Sequence, residues 1–354
     1  MIFVVSPEDD SFEIREFLQV QGHPFVDRIR PLTYEEIMAR RELPLGSYIF
    51  TAIDQLSPPE REITALCWQA LSHASSQITL INHPQQVLCR YELLETCFQL
   101  KRNSFRVFRA PQFASCTRFP VFLRLERQHL GSLSGLLYSK RALLRALAKV
   151  LAKGYRLRDT IIVEYCDTAD SAGFFQKYSA FIVGDIIVPN SIVHSDDWVT
   201  KWAVRSAEPE LVRQEVEYVE TNPHADWLRQ TFSIAKIGYG RIDYGIKDSV
   251  PQVWEINTNP TITRRIWDTD PVREQARRVR APVRDRFLRG FEEAFAAIDT
   301  PVDPAQMIPI DISESYLRKL QAEKRLRLRV AKRGASVSRA TRSVSALLRR
   351  LHLR

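Results

Sequence analysis

An aspartate, a glutamate and an asparagine in the C-terminal third have the spacing most suggestive of chemistry. Asp243 lies in Gly240-Arg241-Ile242-Asp243-Tyr244-Gly245, and Glu255 and Asn257 lie in Val253-Trp254-Glu255-Ile256-Asn257-Thr258. Both segments read as strands, and the polar turn Lys247-Asp248-Ser249 between them folds them into an antiparallel pair, so that the two carboxylates converge. A separation of two along an extended chain puts Glu255 and Asn257 on one face. Two carboxylates and an amide oxygen make a hard, all-oxygen set. Magnesium favours such a set when it keeps part of its water shell and takes other ligands from nucleotide phosphates. The plainer alternative is two solvated strand ends and a turn asparagine.

The elements that must position these residues follow an alternating pattern. Residues 2–6 are a short apolar run, followed by a helix-compatible stretch from Asp10 that Gly22 would end. Further strands are expected at Ser47–Ile53 and Gln77–Asn82, with a helix opened by Ser57-Pro58 and running through Trp68. This alternation predicts a small parallel sheet that closes near Asn82. Pro84–Lys101 reads as an amphipathic helix and Phe119–Leu125 as a buried strand. The loop His129–Gly135 comes next, then a helix capped by Ser139 and ended by Gly154. A strand at Ile161–Tyr165, a hairpin over Lys177–Val188 turning at Gly184-Asp185, and a helix over Ala225–Ile237 complete the approach to Asp243. No internal repeat is present, and neither GxGxxG nor GxxxxGK[ST] occurs.

With 354 residues, 45% of them hydrophobic, the chain can bury a substantial core divided into two or three units. No apolar run approaches the roughly 18 to 20 residues that span a bilayer, and residues 1–6 lack the basic region of a signal peptide, so a cytoplasmic protein with no transmembrane segment is expected. Five scattered cysteines without a CxxC pair argue against a disulfide framework and against structural zinc. The net charge of +9 is concentrated at the end: Arg318–Arg354 holds ten Arg, three Lys and one Glu, a local +12, leaving −3 on the rest.

The string Gly-x-x-Asp-Tyr-Gly…Val-Trp-Glu-Ile-Asn-Thr-x-Pro, from Gly240 to Pro260, resembles the closing signature of the ATP-grasp superfamily, which includes glutathione synthetase and D-alanine:D-alanine ligase. The resemblance covers roughly Asn82–Thr263 in order. It implies a mixed α+β and α/β fold, with two α+β subdomains clasping ATP after a small parallel-sheet domain. The corresponding units are 1–83, 84–166 and 167–300, with a basic, partly helical or disordered tail at 301–354. It also implies ATP and two magnesium ions as cofactors, with Asp243, Glu255 and Asn257 as the metal ligands.

Upstream, Arg90 and Arg124 stand where the family has phosphate-binding lysines; each also reads as an ordinary helix or strand-end charge. Gly131, Ser132, Ser134 and Gly135 match the loop that covers the phosphates. Glu164-Tyr165-Cys166 resembles the hinge that holds adenine, with Asp167 or Asp170 available to the ribose. Lys177 and Arg241 are the remaining cations placed to neutralise a transferring phosphoryl group. Arg264 and Arg265 could bind an anionic substrate.

The implied reaction is attack of a small-molecule carboxylate on the γ-phosphate, giving an acylphosphate that an amine opens. Thr261 replaces the glycine usual in the D-alanine ligase branch, which argues against that substrate. A kinase acting on a small polyol or sugar is the alternative on the same fold. A nucleotide-binding pseudoenzyme, working as a scaffold through its tail, is the alternative from another class. The tail itself fits a polyanion or acidic partner.

Overall fold

The computed structural model describes residues 1–20, 25–128, 131–200, 208–262, 278–322 and 325. The expectations for Gly22, Arg264, Arg265 and the tail beyond 325 lie outside the described residues.

The first unit is the expected parallel sheet, with strands β1 (Ile2–Ser6), β2 (Ile29–Thr33), β4 (Ser47–Phe50) and β5 (Leu80–Ile81) in the order β2-β1-β4-β5. Every residue of β1 is buried because the sheet is covered on both faces. Ile2 and Val4 join a core with Ile14 and Phe17 of helix α1 (Phe12–Val20), whereas Phe3 and Val5 join one with Ile63 and Cys67 of helix α3 (Pro58–Ala74). At the start of α3 the Glu60 carboxylate accepts the Ser57 N–H at 2.8 Å. The helix runs six residues past Trp68, since nothing breaks it there and Leu71 prolongs its buried face. Helix α2 (Tyr34–Ala39) and strand β3 (Glu42–Pro44), which pairs with β13 (Met307–Pro309), complete the unit.

The helix read from Pro84 instead begins at Arg90: α4 spans Arg90–Gln99. The Leu88 N–H is spent on the Ala235 carbonyl at 3.0 Å, and the Glu92 carboxylate accepts the Cys89 N–H at 2.9 Å, which fixes Cys89 as the N-cap and Arg90 as the first helical residue.

Strands β6 (Val107–Arg109), β8 (Thr160–Glu164) and β7 (Val121–Leu125) form a three-stranded antiparallel sheet in that order. Its Val121, Leu123 and Ile162 pack against Leu143, Leu147 and Val150 of helix α5 (Lys140–Ala152). Alternation along β7 turns Phe122 and Arg124 to the other face.

The last sheet holds β10 (Ile186–Ser195), β9 (Phe175–Val183), β11 (Tyr239–Lys247) and β12 (Val250–Asn257), all antiparallel. Helices α6 (Pro209–Thr221), α7 (Ala225–Ala235) and α8 (Ala281–Ile298) pack on it. In α8, Phe291 meets Phe181 of β9 and Phe17 of α1 edge-on, with ring centroids 5.2 and 5.5 Å apart, so one helix joins the first unit to this sheet. Asn82 makes a second junction. Its amide donates to the carbonyls of Phe50 and Tyr239 (3.0 and 2.8 Å) and accepts from the N–H groups of Gly238 and Tyr239 (2.9 and 3.2 Å). Among the described residues no helix is long and apolar enough to cross a membrane.

Candidate functional site

The hairpin β11–β12 closes through Asp248 and Ser249, both left-handed (φ 49° and 63°), so Lys247 faces Val250. Counting back from this turn in strict alternation would set Trp254 opposite Asp243. A bulge prevents that: Tyr244 pairs with Val253, Asp243 pairs with Glu255, and Trp254 is the extra residue. The Trp254 ring lies against Gly245, where a Cβ would stand 2.5 Å from it, so glycine is required there. Beyond the bulge Arg241 is opposite Asn257. One face of the sheet therefore presents Arg241, Asp243, Glu255 and Asn257 together.

Four cations surround the two carboxylates. Arg241 Nε donates to Asp243 Oδ1 at 2.9 Å, and Lys177 Nζ donates to Asp243 Oδ2 at 3.2 Å. Lys177 reaches it because Ser179, two residues along β9, is the register partner of Asp243. Glu255 Oε2 accepts from Arg124 Nη2 at 2.7 Å and from Arg90 Nη2. The other arm of Arg90, Nη1, donates to the carbonyls of Leu125, Glu126 and Gln128 at 2.9, 2.9 and 3.0 Å. Arg90 thus links α4, the end of β7 and β12. Burial, with Arg90 as a like charge nearby, holds the Arg124 pKa below its usual value although Glu255 opposes the shift. Arg241 goes the other way: burial disfavours its charge, yet Asp243 and Glu255 raise its pKa.

Other expected residues are engaged elsewhere. The buried Glu164 carboxylate accepts from Arg106 N, Nε and Nη2 (2.8, 3.0 and 2.8 Å) and pairs with Arg118 at 3.0 Å. Tyr165 donates its N–H to Pro120 O and its hydroxyl to Asp167 (2.9 and 3.1 Å). Burial raises the Cys166 thiol pKa. Asp170 Oδ1 accepts the N–H groups of Ala172 and Phe174, each at 2.9 Å, closing its own turn. The stretch from Gly131 to Gly135 runs back along β7. Ser132 bridges Arg124, and the Ser134 hydroxyl accepts from Leu123 N (3.0 Å) and donates to Gly135 O (2.8 Å).

Three features were not read from the sequence. Arg106 and Arg118 satisfy Glu164, and Trp198 stands 4.9 Å from Phe122 and 6.0 Å from Tyr165, ring centre to ring centre, as an aromatic wall on the Arg124 side of β7. The three tyrosines Tyr178, Tyr218 and Tyr244 with His224 form a second cluster behind Asp243.

The donor set fits magnesium. Asp243 and Glu255 are directly opposed, Asn257 shares their face, and all three offer oxygen. Each Asp243 carboxylate oxygen accepts from a single cation and keeps a second lone pair for a metal. The Asn257 Oδ1 accepts the Asn259 N–H at 2.8 Å, which fixes the amide with its oxygen on the turn side. Among the described residues no cluster of three or more His, Cys, Asp or Glu offers a different metal centre.

No protein-family model and no curated protein sequence matches the chain. Solved structures do. D-alanine–D-alanine ligase from Bacillus anthracis, complexed with ATP, aligns at TM-score 0.42 and 11% identity over 84% of this chain and 99% of its own. A RimK domain ATP-grasp protein from Sphaerobacter thermophilus aligns at 0.38 and 13% over 81% and 99%. L-amino acid ligase from Bacillus licheniformis aligns at 0.37 and 9% over 73% and 66%. A parallel-sheet domain precedes two antiparallel-sheet units that meet where Arg124 touches Glu255, and the closing Asp-Glu-Asn set lies on the second.

Proposed function

We propose that this chain is an ATP- and magnesium-dependent ligase that activates a small-molecule carboxylate as an acylphosphate and transfers the acyl group to an amine or similar nucleophile. The observation that carries this reading is the convergence of Arg90, Arg124, Lys177 and Arg241 on Asp243 and Glu255. Four cations gather on two carboxylates, and even with Glu13 acting on Arg241 the partly buried face stays positive, a setting that attracts a polyphosphate.

Asp243, Glu255 and Asn257 would hold the magnesium, which when bound neutralises charge on phosphate oxygens. The chain's own residues position the reaction. Arg90 and Arg124 come from two different elements and bring positive charge to the phosphates, Arg90 holding Glu255 oriented while Arg124 can turn a guanidinium edge to phosphate oxygens. Lys177 and Arg241, at the Asp243 end, neutralise charge that develops as the γ-phosphoryl group moves. The stretch Gly131–Gly135 borders the phosphates beside Arg124. Phe122, Tyr165 and Trp198 offer rings for a purine next to the Glu164–Cys166 segment, with Asp167 or Asp170 near the ribose.

In the first half-reaction a substrate carboxylate oxygen bonds to the γ-phosphorus as the bond to the β–γ bridging oxygen breaks, and ADP leaves. In the second an amine nitrogen bonds to the acyl carbon, inorganic phosphate leaves and the nitrogen loses a proton. No side chain becomes covalently modified. The raised pKa of Cys166 and its place beside Ser104 Oγ (3.5 Å) suit a structural thiol.

ADP release measured over amino acids, other small carboxylates and polyols tests the proposal. The expected result is release that requires both a carboxylate and an amine, trapping of the acyl group as a hydroxamate by hydroxylamine, and loss of both in Asp243→Asn. Release on a polyol alone would make the protein a kinase. Nucleotide binding without turnover on any substrate would favour the scaffold reading.

A further inference from the structure

The −3 carried by residues outside the tail is not evenly spread. Residues 101–160 hold fourteen Lys or Arg against two acids, a net +12, so that 1–100 and 161–317 together carry −15. No acidic residue occurs between Glu126 and Asp159. Within this region Arg106, Arg109, Arg118 and Arg124 are tied to buried or half-buried carboxylates. The charges on α5 are not. Arg141, Arg145, Lys149 and Lys153 are all exposed, and among the described residues none of them enters an ion pair.

Helical geometry arranges them. Leu143, Ala146, Leu147 and Val150 take the arc that packs on the three-stranded sheet. At about 100° per residue, Arg141 and Arg145 fall on the opposite, outward arc, and Lys149 and Lys153 continue the line down one flank. Leu144 and Leu151, seven residues apart, form a parallel line on the other flank and are 44% and 51% exposed. Large apolar side chains left in water beside a row of unpaired cations are the two components of an interfacial surface.

We infer that the outer face of α5 docks the protein on an anionic lipid bilayer. The cations supply attraction to acidic headgroups, and Leu144 and Leu151 gain by entering the headgroup–acyl boundary. A nucleic-acid backbone would satisfy the cations but offers the leucines nothing. The face lies on the side of the three-stranded sheet away from Arg124, so docking leaves the Asp243–Glu255 site open. The inference does not depend on the ligase reading.

The test uses the full chain, so that the basic tail is present in every arm. Binding to phosphatidylcholine vesicles with and without phosphatidylserine is measured by flotation, beside binding to single-stranded RNA, for wild type, R141Q/R145Q/K149Q and L144S/L151S, with circular dichroism to confirm folding. The wild type is expected to bind only the anionic vesicles, less so as salt rises. Each cation near such a surface is worth about five-fold in affinity, so the triple variant should lose on the order of 100-fold. The leucine pair should lose roughly ten-fold on vesicles and nothing on RNA. Wild-type vesicle affinity in the triple variant would assign membrane binding to the tail and overturn the inference. Unchanged vesicle binding in the leucine variant, with RNA binding lost in the triple variant, would replace the bilayer by a nucleic acid. No binding of wild type to anionic vesicles would also overturn it.

Discussion

Arg90 and Glu255 lie 165 residues apart and meet as an ion pair, and the same guanidinium holds three carbonyls at the end of β7 with its other nitrogen. A lysine ammonium is a single point donor and cannot bridge Glu255 and three carbonyls in this geometry. Arg90→Lys is therefore expected to lower stability in urea unfolding by about 2 to 3 kcal/mol, because buried carbonyls lose their partner. Arg124→Lys, which gives up one hydrogen bond to Glu255, should cost about 1 kcal/mol. Equal costs would contradict the dual role assigned to Arg90.

Asn82 is expected to be the most sensitive polar position outside the site. It makes four hydrogen bonds, one to Phe50 of the first sheet and three to Gly238 and Tyr239 at the start of β11, and its backbone is left-handed at φ 67°. Asn82→Ala removes all four and places a β-carbon residue less suited to that conformation there, a loss of about 3 kcal/mol. Chemical denaturation should show it as a lowered midpoint, and a change below about 1 kcal/mol would mean the junction rests on the α8 aromatics alone.

Much of this organisation was legible in the residues, and what was not has identifiable causes. The strands around Asp243 and Glu255 and the turn between them follow from local pattern. Their face-to-face pairing does not, because it needs the bulge at Trp254, and a bulge depends on how the tryptophan packs on Gly245. The start of α4 at Arg90 depends on the Leu88 N–H reaching Ala235, a contact between residues distant in sequence. Arg106 and Arg118 pair with Glu164 only after β6 and β8 have joined. Helix α8 was missed although Phe287, Phe291 and Phe295 repeat at four-residue steps, because its many arginines mask the apolar stripe.

The cluster behind Asp243 predicts a pH dependence. The Tyr218 hydroxyl donates to Ser179 O (3.0 Å), so its oxygen accepts from the Tyr244 hydroxyl (3.2 Å), whose own oxygen then accepts from a protonated Nδ1 of His224 (2.8 Å). Burial holds the His224 pKa below its ordinary value. The folded state thus prefers the neutral ring, while the unfolded chain takes up a proton near pH about 6.5. This contribution is fully present above that pH and is lost as pH falls below it. His83 is shifted in the same direction, also by burial. The urea midpoint should fall between about pH 7.5 and about pH 5.5 in wild type and fall less in His224→Gln. An unaltered slope in the variant would exclude His224 as a source.

Asp243 neutralises Lys177 and Arg241 on a mostly buried face. Asp243→Asn leaves both cations without a full counter-charge, and a loss of about 2 to 3 kcal/mol in the absence of nucleotide is expected. Polyphosphate should restore part of that stability by supplying the missing charge, seen as a rise in melting temperature larger in the variant than in wild type. A smaller rise in the variant would argue that these cations do not face the phosphate position.

The most direct test of the nucleotide site is calorimetric titration of ATP with magnesium into wild type and Glu255→Ala. The account predicts magnesium-dependent binding in wild type that disappears in Glu255→Ala while the variant remains folded by circular dichroism. Absence of ATP binding in wild type, or equal affinity with and without Glu255, would contradict it.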